Sequence, residues 1–203
     1  MMALAASACG NDRGPPPITN IAALTCSPRP ALAEAKPVPL DSDKAVTVTL
    51  DGNASCLEQP GGLRSLYGAF KLPDGSSQPV LVSVTSTPLG AGLFSPHVLM
   101  LDERENVVRE IARDAFMFHG NKLYVGIRLH PEERYLIVAS DPQSVGSQIS
   151  RITESTSTAG GSAIGGGVIV FYTIHSGSDR ESNFTYSHNG TVTVSAEPMP
   201  KAN

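Results

Sequence analysis

The chain of 203 residues has no tryptophan, 5% aromatic residues and 17% charged ones. Its net charge of −4 comes with no cluster of Lys and Arg, which argues against a nucleic-acid partner, because neutralising phosphates needs such a cluster. No stretch holds the roughly 18 consecutive apolar residues of a membrane-spanning helix, so attachment to a membrane would fall to a lipid. Catalytic signatures are missing as well. Ser162 in Gly160-Gly161-Ser162-Ala163-Ile164 lacks the second glycine of a nucleophile elbow, and neither HExxH nor a P-loop pattern occurs. Gly165-Gly166-Gly167 leads into a strand pattern and offers no helix terminus to a phosphate. The expectation is a protein that is not an enzyme and carries no cofactor.

Histidines and carboxylates are present but scattered. His97, His119, His130, His175 and His188 fall one per segment, without the close spacing of a metal site, and no metal is expected. His97 shares a strand face with Leu99 and Leu101 and reads as a partly buried histidine. Asp41, Asp43 and Asp51 lack the loop and distal glutamate of an EF-hand and read as turn carboxylates. The charged run Asp102 to Asn106 reads as a hairpin turn between Leu101 and Val107.

Three cysteines remain. Residues 1–9, ending Ala5-Ala6-Ser7-Ala8-Cys9, read as the end of a lipoprotein signal, with Cys9 as the lipidated residue. The apolar run is short and Ala6 stands where such signals prefer Leu. A start upstream of Met1, a plain exported domain and a cytosolic chain with a chance match therefore stay open. If Cys9 carries lipid, Cys26 and Cys56 are left to pair in an oxidising compartment, the alternative being two buried thiols. Residues 10–40, with seven prolines among Pro15 to Pro39, read as an extended Pro-rich tether.

From Ala45 onward, short β-branched and aromatic runs alternate with turn residues, which is the pattern of a sandwich or barrel. Val46, Val48 and Leu50 alternate with Thr47, Thr49 and Asp51; Val80, Val82 and Val84 alternate with Leu81, Ser83 and Thr85. The expected fold is all-β, an antiparallel, jelly-roll-like β-sandwich of about nine or ten strands over residues 41–198, with a tail at 199–203. One short helix is expected after Asp141-Pro142, from Val145, Ile149 and Ile152 at helical spacing. Ser155 to Gly167 and Ser176 to Asn189 read as polar surface excursions. Tyr172, Phe184 and Tyr186, beside the second of these, are the candidate ligand or partner patch, with core or edge packing as the alternative. Asn53, Asn183 and Asn189 head glycosylation-type triplets that are coincidental if the lipoprotein reading holds.

Leu93-Phe94-Ser95-Pro96-His97-Val98-Leu99-Met100-Leu101-Asp102 resembles a strand of the maltose operon periplasmic protein family, which carries a similar F-[AS]-P-x-V-L-x-L-D run. Tyr135 to Pro142 is similar to that family's tyrosine-containing strand, and Ser187 to Val194 to its C-terminal histidine-to-strand segment. The resemblance implies an exported protein with no established catalytic activity and a link, mainly by neighbourhood, to maltodextrin uptake, and it carries over no binding residue. The expectation is a periplasmic, outer-membrane-anchored, non-catalytic accessory or scaffold for an envelope complex or uptake system. The alternative is a carbohydrate-binding protein beside maltodextrin transport, with an oligosaccharide as ligand.

Overall fold

The computed structural model describes residues 14–59, 61–74, 78–165 and 168–199, the side chains of 151–181 excepted. Fourteen strands follow one another among the described residues. They are β1 (Lys36–Pro37), β2 (Val46–Leu50), β3 (Cys56–Glu58), β4 (Arg64–Lys71), β5 (Val80–Thr87), β6 (Gly92–Phe94) and β7 (Pro96–Leu101). The second half adds β8 (Val107–Ile111), β9 (Met117–His119), β10 (Lys122–Arg128), β11 (Tyr135–Ser140), β12 (Gln148–Gly165), β13 (Val168–Ser187) and β14 (Gly190–Pro198).

Two sheets face each other. The first has the order β1-β4-β11-β7-β8, with β3 also on β4; the second has the order β2-β14-β5-β10-β9 and is antiparallel throughout. Strands of the second sheet alternate as a one-sided sheet must, burying Val80, Val82 and Val84 of β5 and Val192, Val194 and Ala196 of β14 while the intervening residues face out. They meet Phe70, Val98, Met100, Leu136 and Val138 of the first sheet in one core. The sandwich expectation holds, but the pairing is not purely antiparallel. β1 runs parallel to β4 and β6 parallel to β13, because both short strands are laid down by chain that arrives from elsewhere instead of turning back in a hairpin.

The first sheet is buried on both faces over β4 and β11. On β11 every residue from Leu136 to Ser140 is buried, and outward-facing Tyr67, Leu101, Ile137 and Ala139 form a second cluster with Leu57. The cover is the segment expected as a tether, and that expectation is corrected for residues 14–40. Ile21 and Val38 are buried, β1 pairs with β4, and Ser27 donates to Cys56 O at 2.9 Å and accepts from Glu58 N at 2.8 Å. Prolines deny donors but leave the other residues free to bond, and the apolar residues between them have a sheet face to cover. The Cys26–Cys56 disulfide, with a Cα–Cα distance of 4.5 Å, ties this strap to β3.

No helix forms after Asp141. The Asp141 carboxylate accepts from Gln143 N at 3.0 Å and from the Ser144 hydroxyl, and Ser144 N and Val145 N donate to Asp141 O. Gly146 then takes φ +92, and Ser147 and Gly146 bond to Tyr186. A single turn does not recover the cost of helix nucleation, and β-branched Ile149 and Ile152 are drawn into β12. The two expected surface excursions are likewise corrected. Ser155 to Gly165 and Ser176 to Ser187 are strand, paired in one antiparallel hairpin whose register runs from Gln148↔Thr185 to Gly165↔Val168. Pairing satisfies the backbone polar groups that the sequence reading assigned to water.

Candidate functional site

A cleft of about 510 Å³ opens on the outer face of the first sheet, where the strap ends. Leu57 of β3 and Leu99 and Leu101 of β7 line its floor, Pro28 and Pro30 one wall, and the 104–107 turn with Val107 the other. Its volume lies within the range of small-ligand sites, about 300–1,000 Å³. Strand alternation puts His97, Leu99 and Leu101 on this side and Val98 and Met100 in the core. The polar groups are mixed in sign: Arg29 and Arg104 against Glu58, Glu105 and Glu110. His97 Nε2 lies 3.5 Å from Glu110 Oε2, and His97 is partly buried, as its strand position predicts.

The turn at the mouth is fixed by Asp102, whose carboxylate accepts from Arg104 N and Asn106 N at 2.8 Å and from Asn106 Nδ2 at 3.1 Å. These bonds, those from Asn106 foremost, hold the Asp102 pKa below the ordinary carboxylate value. The run 102–106 is thus the hairpin turn that its composition announces, with Glu105 at φ 65. Asp41 and Asp51 also act as turn carboxylates, accepting from Asp43 N at 3.0 Å and Asn53 N at 2.8 Å. Among the described residues no three His, Cys, Asp or Glu side chains gather as a metal site.

The expected aromatic patch does not assemble as an exposed surface. Phe184 and Tyr186 are buried in the main core, and Arg113 donates to the Tyr186 hydroxyl with its guanidinium 4.8 Å from the ring centroid. Their position at the foot of β13, paired with β6 beside the buried Leu93 and Phe94, explains this, and their core alternative is the one observed. The Tyr172 side chain and Cys9 lie outside the described residues.

Sequence reasoning missed a buried polar network. His188 Nδ1 lies 2.7 Å from Ser140 Oγ, which accepts from Leu66 N at 3.1 Å. Ser65 Oγ donates to Ser140 O at 2.6 Å and accepts from Gln59 Nε2 at 2.8 Å. Ser140 is fully buried and His188 is 4% exposed, so this serine–histidine pair is closed to substrate. Burial pushes the His188 pKa down to about 4, and the ring is neutral at neutral pH. The network anchors the strap instead: His188 N donates to Ile18 O at 2.8 Å, Ile18 N to Asn189 Oδ1 at 2.6 Å, and Asn189 Nδ2 to Pro16 O at 3.1 Å. The signal available in the sequence was the run Ser187-His188-Asn189, three hydrogen-bonding side chains directly before an apolar strand.

Fold and cleft together define a disulfide-bonded β-sandwich with an open binding surface and a Pro-rich strap. Residues 62–152 match the family model described as Maltose operon periplasmic protein precursor (MalM). The match contains Leu93 to Asp102 and Tyr135 to Pro142, two of the three segments that carry the resemblance, and ends before Ser187 to Val194. No curated protein matches the chain.

Proposed function

We propose that the protein is a lipid-anchored, non-catalytic accessory component of a periplasmic uptake complex, engaging its partner through the cleft above β3, β7 and β8. The cleft carries this reading: an apolar floor of Leu57, Leu99 and Leu101 inside a rim of both charge signs suits another protein's surface, while among the described residues no Phe, Tyr or Trp lines it for stacking on a sugar. The disulfide and the family's printed description support the compartment. The Ala5-Ala6-Ser7-Ala8-Cys9 run supports the anchor. Leu99→Arg with Val107→Arg should abolish capture of a maltose-transport component that the wild-type protein retains from envelope extracts. Equal capture by both would sink this use of the cleft. Cys9→Ser should move the protein from the membrane to the soluble periplasmic fraction, and unchanged partitioning would remove the anchor.

A second reading, a carbohydrate-binding protein beside maltodextrin transport, is favoured by the size of the cleft and by the hydrogen-bonding Asn106, Gln59 and carboxylates on its rim. Calorimetric titration with maltotriose and maltohexaose separates the two. Saturable heat lost in the Leu99→Arg variant would establish the sugar reading, and no heat at millimolar sugar would end it.

A further inference from the structure

The outer face of the second sheet holds two features that the described lining of the cleft lacks, an aromatic ring and a regular field of hydroxyls. Leu123, Val125 and Ile127 of β10 are buried, so Tyr124 and Gly126 face outward, beside the outward residues of β5. Tyr124 does not stand up from the sheet. Its hydroxyl lies 3.1 Å from Ser83 Oγ on the neighbouring strand, and a Cβ on Gly126 would stand 3.2 Å from that hydroxyl and 3.8 Å from Cζ. The ring is therefore laid along β10, over a position where a side chain would crowd it. Gly126 has no positive φ to account for a glycine, and within a strand glycine weakens pairing. Room for the ring is what it supplies.

Register extends this platform in both directions. On one side Tyr124 is opposite Met117 of β9, which at 68% is the most exposed of the large apolar residues described. Residues directly opposite in an antiparallel pair share a face, so thioether and ring stand together. On the other side Tyr124 is opposite Thr85, Thr85 opposite Thr193, and Thr193 opposite Thr47. The triplets Thr47-Val48-Thr49, Thr191-Val192-Thr193 and Thr85-Ser86-Thr87 thus put two threonines each on the outside of three adjacent strands, and Ser83 and Ser195 continue the field by one step. From Thr47 to Met117 the row crosses five strands, about 19 Å. It holds no charge, and the outward Lys122, Arg128 and Glu197 stand at or next to strand ends.

The chemistry of this face selects its occupant. A surface without charge offers nothing to a phosphate, an anionic lipid or a charged peptide. One ring and one thioether are too small a patch for the buried core of a protein interface. A twist of about 20–25° per strand turns five strands into a saddle, which a flat crystalline surface does not follow. A neutral sugar chain meets all three conditions: a pyranose has an apolar side for the ring and hydroxyls for threonine and serine, and a single chain bends with the sheet.

We infer that the outer face of the second sheet binds a neutral oligosaccharide, stacked on Tyr124 and Met117 and hydrogen-bonded to the hydroxyls of Ser83, Thr85 and Thr193. The site is on the opposite side of the sandwich from the cleft and rests on neither reading of it. The cleft stays free for a protein partner while the sugar is held.

The test is calorimetric titration of the full-length protein with the neutral pentasaccharides maltopentaose, cellopentaose and chitopentaose, and with the anionic pentagalacturonate. Saturable heat from at least one neutral probe and none from pentagalacturonate are expected. Tyr124→Ala should weaken binding about tenfold, and Tyr124→Phe, which keeps the ring, by less than about threefold. Gly126→Ala, which displaces the ring without removing it, should also weaken binding, and Leu99→Arg on the cleft floor should bind as the wild type does. Thermal unfolding checks that each variant is folded at the titration temperature, and Gly126→Ala carries the test if Tyr124→Ala is not. No saturable heat from any neutral probe, equal binding of pentagalacturonate, or wild-type affinity in the Tyr124→Ala and Gly126→Ala variants overturns the site. Heat lost in Leu99→Arg and kept in Tyr124→Ala also overturns it and assigns the sugar to the cleft.

Discussion

The two sheets of the body solve the same problem differently. The second sheet buries one face and gives the other to water, so β2, β5 and β14 alternate apolar with Thr and Ser, and Thr47 and Thr193 share an exterior hydrogen bond of 3.0 Å. The first sheet buries both faces at β4 and β11, which read as near-continuous apolar runs because the strap covers them from outside. Alternation reports how many faces of a sheet are dry, and a strand without it signals a cover that has to come from elsewhere in the chain. Here the cover is the proline-rich N-terminal segment, and where it stops the cleft begins.

The comparison breaks most severely where the sheets are clasped together. Arg109 of β8 donates to Arg128 O of β10 at 3.0 Å and to the fully buried Glu133 at 2.8 Å, and Glu133 also accepts from His130 N. Arg109→Ala leaves that carboxylate buried without its cation and should cost about 3–5 kcal/mol in urea unfolding. A loss within about 1 kcal/mol would show that water takes the place of Arg109.

Removing the strap's covalent tie comes next. Cys26→Ser with Cys56→Ser opens a loop spanning a sequence separation of 30 and should lower stability by about 3–4 kcal/mol. Hydrogen exchange should rise on the outer face of β4 and β11 and stay unchanged in β5 and β14. Uniform exchange in both sheets would erase the distinction between them.

The polar anchor of the strap responds to pH. Folded His188 protonates only near pH 4, against an ordinary value of 6.5, so the unfolded chain binds the extra proton between these limits. Stability from this group is therefore complete above about pH 6.5 and declines as pH falls towards 4, by about 3 kcal/mol in all. His188→Gln should start less stable at pH 7 and lack this component. Parallel pH profiles for the two proteins would sink the assignment.

The smallest effects compare outward positions directly. Ile137→Val, outward on the first sheet yet fully buried, should cost about 0.5–1.5 kcal/mol. Thr49→Val, outward and exposed on the second, should change stability by less than about 0.5 kcal/mol.

Strands with a clean two-residue period were legible in the sequence, as were the Asp102 turn and the partly buried position of His97, because each depends on neighbours two to five residues away. The missing helix and the long hairpin were not. Val145, Ile149 and Ile152 satisfy helical and strand patterns alike over so short a run, and the choice fell to Tyr186 and Thr185, which bond this segment from more than thirty residues away. Phe184 and Tyr186 were equally ambiguous, since an aromatic residue in a strand has the same local pattern whether it faces core or solvent. The cleft was invisible because its walls come from residues 28–30, 57–59, 97–101 and 104–110, brought together by the strap and three strands.

By itself, the sequence determined the β class, the alternating strands, the available disulfide and the resemblance to a periplasmic family, since these depend on composition, period and local motif. Only the tertiary structure decided that a proline-rich leader is a cover and not a tether, that Ser140 and His188 meet in a sealed network, and that a Ser/Gly/Thr stretch pairs as one long hairpin. Each of those outcomes depends on which distant backbone groups and apolar faces remain to be satisfied once the two sheets have closed on each other, and no local window of residues contains that information.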